Sequence, residues 1–135
     1  LAHDMTPIVC VGETLDERES GQEATIVEAQ VLGSLKFIEG EKLDGLVIAY
    51  EPVWAIGTGV TASAEDAQEM CSHIRSVVGS IRRESIDLIR IQYGGSVNPA
   101  NAGELMAMPD IDGALVGGAA LQADSFARIV NFKDA

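Results

Sequence analysis

Four times along 135 residues a short apolar run gives way to a longer segment with helical spacing, and this alternation restricts the fold more than any other feature of the chain. The runs are "PIVCV" (residues 7–11), "GLVIAY" (45–50), "LIRIQY" (88–93) and "GALV" (113–116). Each is apolar or β-branched and bounded by turn residues, so each reads as a strand. The helical segments are 15–38, 64–83, 98–108 and 125–132. In the first, Ile26, Ala29, Gln30 and residues 32–35 are expected to face the core; in the second, Ala67, Met70, Cys71, Ile74, Val77 and Val78. Ser63 with Asp66 three residues later predicts a capping box, and Asn98 followed by Pro99 predicts an N-cap with a first-turn proline.

Near-continuous apolar strands separated by helices specify a parallel sheet joined by right-handed crossovers, an α/β architecture. Four βα units in 135 residues is about 34 per unit, the spacing of an eight-unit barrel of about 250 residues. Residues 1–135 are therefore expected to form a single half-barrel domain. Such a sheet, with helices on one side only, leaves two open edges and a bare inner face, and something must cover them.

Composition narrows the partners. Apolar residues make up 47% of the chain, enough for a core, and the formal charge of −12 repels nucleic acid and anionic membrane surfaces. Small anions are still admissible, because helix N-termini and turns of backbone N–H groups hold phosphate without a basic surface. No apolar run approaches the roughly 20 residues that span a bilayer, and no leader-like pattern opens the chain; a cytoplasmic protein is expected. Cys10 and Cys71 show no metal-site or disulfide spacing and are expected to be buried, reduced thiols. No metal or cofactor is expected.

Polar and glycine-rich residues gather just after each strand, the face where parallel α/β folds place their sites: "GET" (12–14), "EPVWAIGTG" (51–59), "GGS" (94–96) and Gly117–Gly118. A glycine pair of this kind serves either a tight turn at positive φ or an anion cradle; two pairs on consecutive strands favour the cradle. Glu51 has two readings. It is either half of a structural ion pair at a strand end or a general base whose apolar neighbours Ala49, Tyr50, Pro52, Val53 and Trp54 would raise its pKa. The small "AIGTG" between the stiffer "PVW" and "VTA" is written like a lid between hinges. The charged "LDERESGQE" reads as a helix start with a solvated face.

Together, "PIVCVGETLDERESG", "AYEPVWAIGTG", "YGGSVNPANA" and "DGALVGG", in this order over essentially the whole chain, resemble the triosephosphate isomerase family. The resemblance implies the C-terminal half of a (β/α)8 TIM barrel. It also implies an aldose–ketose isomerase of glycolysis and gluconeogenesis that interconverts dihydroxyacetone phosphate and glyceraldehyde 3-phosphate without a cofactor. By matching, Glu51 is the proton-transfer base; this enzyme is the standard worked case of a glutamate base under a closing loop. Pro52, Val53 and Trp54 match the first hinge, Ala55, Ile56, Gly57, Thr58 and Gly59 the lid tip, and Val60, Thr61 and Ala62 the second hinge. Gly57, Ser96, Gly117 and Gly118 match the phosphate-holding positions, and Tyr93 and Ser96 the groups that latch the lid. Glu13, Arg75 and Asp112 match structural positions. The family's electrophilic histidine and its Asn and Lys have no counterpart here; His3 and His73 do not match the electrophile. The isolated chain is thus expected to have little activity, its partners being a triose phosphate and either a missing N-terminal half or a second copy of itself. The family is homodimeric. A non-catalytic self-associating half-barrel and a bare phosphate-binding module are the competing readings.

Overall fold

A computed structural model describes residues 3, 5–56, 58 and 60–134. Its order is β1 (Ile8–Val11), α1 (Leu15–Glu19), α2 (Glu23–Leu35), β2 (Val47–Tyr50), α3 (Ala64–Ile81), β3 (Arg90–Tyr93), α4 (Ala102–Met106), β4 (Gly113–Ala114) and α5 (Ala123–Val130), with short 3-10 turns between. The strands form one parallel sheet in the order β1-β2-β3-β4. The elements are shorter than their sequence patterns. Leu88, for instance, is an exposed turn residue ahead of β3 rather than part of it.

Register divides the side chains between two faces. Val11, Tyr50 and Tyr93 stand level in adjacent strands, as do Val9, Ile48 and Ile91, and these rows pack beneath the helices. The alternate row, Cys10, Ala49, Gln92 and Gly113, lies on the opposite face. No helix of the described residues covers that row at β1: Cys10 and Ile8 are exposed. The expectation that Cys10 is buried is therefore corrected, because strand alternation turns it to the open inner face; Cys71, on α3, is buried as expected.

The helices show how periodicity succeeds and fails. In α3, Ala67, Met70, Cys71, Ile74, Val77 and Val78 are all buried, and Ser63 and Asp66 form the expected capping box. The first predicted helix is instead two helices, broken where Gly21 adopts φ +70, a conformation that glycine takes without steric cost. Its buried stripe is Val27, Val31 and Leu35; of the expected set only Leu35 is buried, Ile26 and Gln30 are half-buried, and Ala29 and residues 32–34 are exposed. α2 carries apolar residues around most of its circumference, so contact with β1 and α3 selects the face. Asn98 accepts hydrogen bonds from the amides of Ala100 and Asn101, as a cap does, but the regular helix starts only at Ala102.

Candidate active site

At the C-terminal ends of the strands, Glu51, Gly94, Gly95, Ser96, Gly117 and Gly118 line one cavity of about 600 Å³, with Ile56, Thr61 and Leu115 among its other walls. Glu51 arrives there because its amide donates to Val11 O (2.7 Å), carrying the β1–β2 ladder one residue past the strand ends. Gly94 continues the next ladder through its amide to Tyr50 O (2.7 Å). The two residues are therefore neighbours across the rim. A Cβ on Gly94 would lie 2.5 Å from Glu51 Cγ, so glycine is needed there to admit the carboxylate arm.

That finding revises the reading of the glycine pairs. Among the described residues positive φ occurs at Gly21 and Gly40, not at Gly94, Gly95, Gly117 or Gly118. Gly94 is required by close approach, and a Cβ on Gly117 or Gly118 would meet no atom within 4 Å. The backbone at the latter two faces open cavity, with Gly118 starting a short 3-10 turn, Gly118–Leu121.

One neighbour of Glu51 was not singled out from the sequence. Cys10 lies on the inner face beside it; hydrogen bonding to Glu51, then burial, then the carboxylate's charge push the thiol from its ordinary 9.0 up to about 11. The thiol is thus a proton-bearing neighbour of the carboxylate throughout the neutral range. The signal was present in the strand alternation, which puts Cys10 level with Ala49, two residues before Glu51.

The segment after Glu51 is anchored at its start. Pro52 is buried, and residues Val53–Ala55 form a 3-10 turn. Trp54 Nε1 donates to Glu13 Oε1 (2.8 Å), and Tyr50 Oη donates to the same oxygen (3.0 Å). Glu13 is fully buried, and its backbone carbonyl accepts from Val53 N (2.9 Å). Burial, then the Glu13 charge and hydrogen bond, push the Tyr50 hydroxyl well above its ordinary range, so it acts as a standing donor. Ser96 Oγ donates to Ala55 O (2.7 Å), tying the β3 rim to this turn. Thr58 Oγ1 donates to Trp54 O (2.8 Å) and accepts from Val60 N (3.2 Å). Val60 and Thr61 are exposed, whereas Ala62 is buried. Tyr93 is buried and its hydroxyl has no hydrogen-bond partner among the described residues. Burial raises its pKa, and the nearby Ala62 backbone opposes the rise. Gly57 and Gly59 lie outside the described residues.

Two further sequence expectations find their places. Arg75 pairs with Asp112 (2.6 Å) and also with Asp110 (2.8 Å), while Asp112 Oδ2 accepts from Ile91 N (2.8 Å). This cluster braces α3 against β3 and the approach to β4, away from the cavity. His73 Nε2 lies 3.1 Å from Ala24 O between α2 and α3, and His3 is an exposed turn residue before β1; neither lines the cavity.

A four-stranded parallel sheet, helices on one face and a cavity at the strands' carboxyl ends define half of a TIM barrel. Comparison with known proteins agrees. The family model described as triosephosphate isomerase matches residues 1–133, and the chain belongs to the triosephosphate isomerase family. It is 59% identical over 130 residues to the triosephosphate isomerase of Moorella thermoacetica, covering 96% of this chain and 52% of that protein. Identity to those of Streptomyces coelicolor and Roseiflexus sp. is 55% and 57% over 133 residues, covering 98% of this chain and again 52% of theirs. The chain thus spans about half the length of the curated relatives it matches. No helix of the described residues is long and apolar enough to cross a membrane.

Proposed function

We propose that these residues supply the base, the lid and part of the phosphate cradle of a cytoplasmic triose-phosphate isomerase acting in glycolysis and gluconeogenesis. One observation carries the reading: the Glu51 carboxylate and the backbone of 94–96 and 117–118 line a single cavity. That arrangement suits a small substrate with an ionisable carbon at one end and a phosphate at the other. Glu51 takes the proton from one carbon of dihydroxyacetone phosphate and returns it to the next, giving glyceraldehyde 3-phosphate. The amides around Ser96, Gly117 and Gly118 hold the phosphate, as loops after the last strands of such barrels commonly do. Gly57, by resemblance, adds another amide. Residues 52–62 close over the site, with Tyr93 and Ser96 as latches. No metal or cofactor is needed for this proton transfer.

The described residues include no group placed to polarise the substrate carbonyl. A positioned general base supplies roughly 10²–10⁴ in rate, whereas enzymes lower barriers by about 8–23 kcal/mol, so the chain by itself turns over little. The remaining groups come from four further βα units that close the barrel on the open edges of β1 and β4. Adding a polypeptide with those units is expected to restore turnover, and Glu51→Gln in the mixture to lower it by about 10²–10⁴. Unchanged turnover in the Glu51→Gln mixture removes Glu51 from the role.

A second reading rests on the bare inner face, where Ile8 and Cys10 are exposed. Two copies could close eight strands without any isomerase activity. Sedimentation of the purified chain separates the two: a stable dimer with no gain on adding the complementary units favours self-association.

A further inference from the structure

The single tryptophan of the chain, Trp54, is held by more than the Glu13 carboxylate. The guanidinium carbon of Arg18 lies 4.9 Å from the centre of its ring. Arg18 Nη1 also reaches Glu13 Oε1 (3.4 Å), the oxygen that accepts from Trp54. Its other terminal nitrogen, Nη2, donates to Asp66 Oδ1 (2.8 Å). Asp66 is no ordinary surface acid: its second oxygen accepts from Ser63 Oγ (2.7 Å) and Ser63 N (3.3 Å), forming the capping box that starts α3. The 52–62 segment thus leaves from a ring stacked on Arg18 and ends one residue before a helix cap bonded to Arg18.

We propose that Arg18 is the positioning residue for the base-bearing loop, its guanidinium fixing Trp54 and the start of α3 at a set separation and thereby fixing the aim of Glu51. The path from Trp54 back to Glu51 is short and stiff. Only Pro52, which is buried, and Val53, whose amide is held by Glu13 O, intervene. Arginine suits the role because one planar, delocalised cation offers a stacking face and a fork of in-plane donors at once; lysine carries the charge without the plane. The role in aiming Glu51 rests on the isomerase reading above, whereas the clamp on Trp54 stands on geometry alone.

Because Trp54 is the only tryptophan, its emission reports the clamp directly. Acrylamide quenching is measured on the full chain carrying Arg18→Lys, and on Arg18→Met in case the lysine re-forms one contact. Arg82→Met, which breaks the Arg82–Asp44 pair (2.6 Å) remote from the loop, is the control. Far-UV circular dichroism confirms that each variant is folded, and Asp66→Asn replaces any Arg18 variant that is not. The accessible Trp54 population is expected to rise about two- to fivefold in the Arg18 variants, the shift that loss of a partly exposed cation–π contact sustains. It should rise less in Asp66→Asn and stay unchanged in Arg82→Met. In the complemented enzyme, Arg18→Lys is expected to lower kcat with KM nearly unchanged, the pattern of a misaimed base rather than a damaged phosphate site. Parental quenching in both folded Arg18 variants overturns the proposal. If Arg18→Lys exposes Trp54 while Glu51→Gln leaves turnover intact, the isomerase reading fails and the clamp survives it.

Discussion

The root of the 52–62 segment and the rim formed after β3 and β4 lie at the same end of one sheet, yet they are made of different material. At the root, side chains converge: Tyr50, Trp54 and Arg18 all reach one oxygen of a fully buried glutamate. At the rim four glycines, Gly94, Gly95, Gly117 and Gly118, bring bare backbone to the cavity wall with no side chain of their own. The root should therefore break when atoms are removed, and the rim when atoms are added. The proposed function accounts for the difference: a closing loop needs a rigid origin, whereas a phosphate site needs exposed amides and space.

The largest effect on folding is expected from Glu13→Ala. It leaves the Tyr50 hydroxyl and the Trp54 indole N–H without their acceptor, and buried donors so stranded cost about 1–3 kcal/mol each. A stability loss of about 2–4 kcal/mol should appear in urea unfolding, with Trp54 emission shifted in the native baseline. A loss below about 0.5 kcal/mol would show that water replaces Glu13 and that the root is not held by side chains.

Gly94→Ala tests the rim by addition. The new methyl meets Glu51 Cγ at 2.5 Å, and the flexible carboxylate arm rather than the backbone must give way. On the isomerase reading proposed above, displacing Glu51 in this way is expected to cost on the order of 100-fold in turnover, read in the complemented enzyme, with a much smaller change in urea midpoint. Gly118→Ala is the counterpart: its methyl meets no atom within 4 Å, so the urea midpoint stays at the parental value. A fall in stability as large as that of Glu13→Ala in either variant would erase the contrast between the two regions.

Much of this contrast was legible in the sequence, and the remainder was hidden for identifiable reasons. Strand alternation and the β-branched runs located all four strands of the sheet, and α3 displayed its buried face because its opposite face is polar. α2 has no such polar face, so its stripe was set by packing that local periodicity does not encode. Glu51 and the glycine pairs declared themselves by position, but the reason for Gly94 is a contact between chain segments 43 residues apart (94 − 51) and is absent from local spacing. Arg18 sat within "LDERE", where helical charges are ordinarily solvated; its reach to Glu13, Trp54 and Asp66 is a tertiary fact.

Protonation offers a finer probe of Glu51 and its surroundings. With Cys10 held up to about 11 rather than 9.0, its thiolate fraction at pH 8 is lower by about 100-fold than that of an ordinary thiol, and alkylation should be correspondingly slow. Glu51→Gln removes the charge and the carboxylate acceptor, leaving burial as the main remaining cause, so alkylation of Cys10 should speed up by about tenfold. Mass spectrometry of the Cys10 peptide across pH 7–10 follows this, with buried Cys71 as the internal reference. Equal rates in the parent and Glu51→Gln would mean that the carboxylate does not face the thiol.

The smallest effect is expected from acid. The Asp66 carboxylate is held low first by the Ser63 hydroxyl, against the opposing effect of burial, and then by Arg18. Asp110, which burial alone would raise, is held low by Gln68 and Arg75. Groups whose folded pKa is depressed contribute stability that is fully present above the unfolded value, here 3.8, and lost as pH falls through the folded value. The thermal midpoint should thus be insensitive to these two groups above about pH 5 and fall below about pH 4. Asp66→Asn should flatten part of that fall and loosen Trp54, while Asp110→Asn should flatten part of it and leave Trp54 emission alone, since Asp110 bonds to Gln68 and Arg75 rather than to Arg18, the residue that reaches Trp54. The root and the α3 brace would then be separable by spectroscopy though they titrate together. Loss of the Trp54 signal in Asp110→Asn would join them into one cooperative unit.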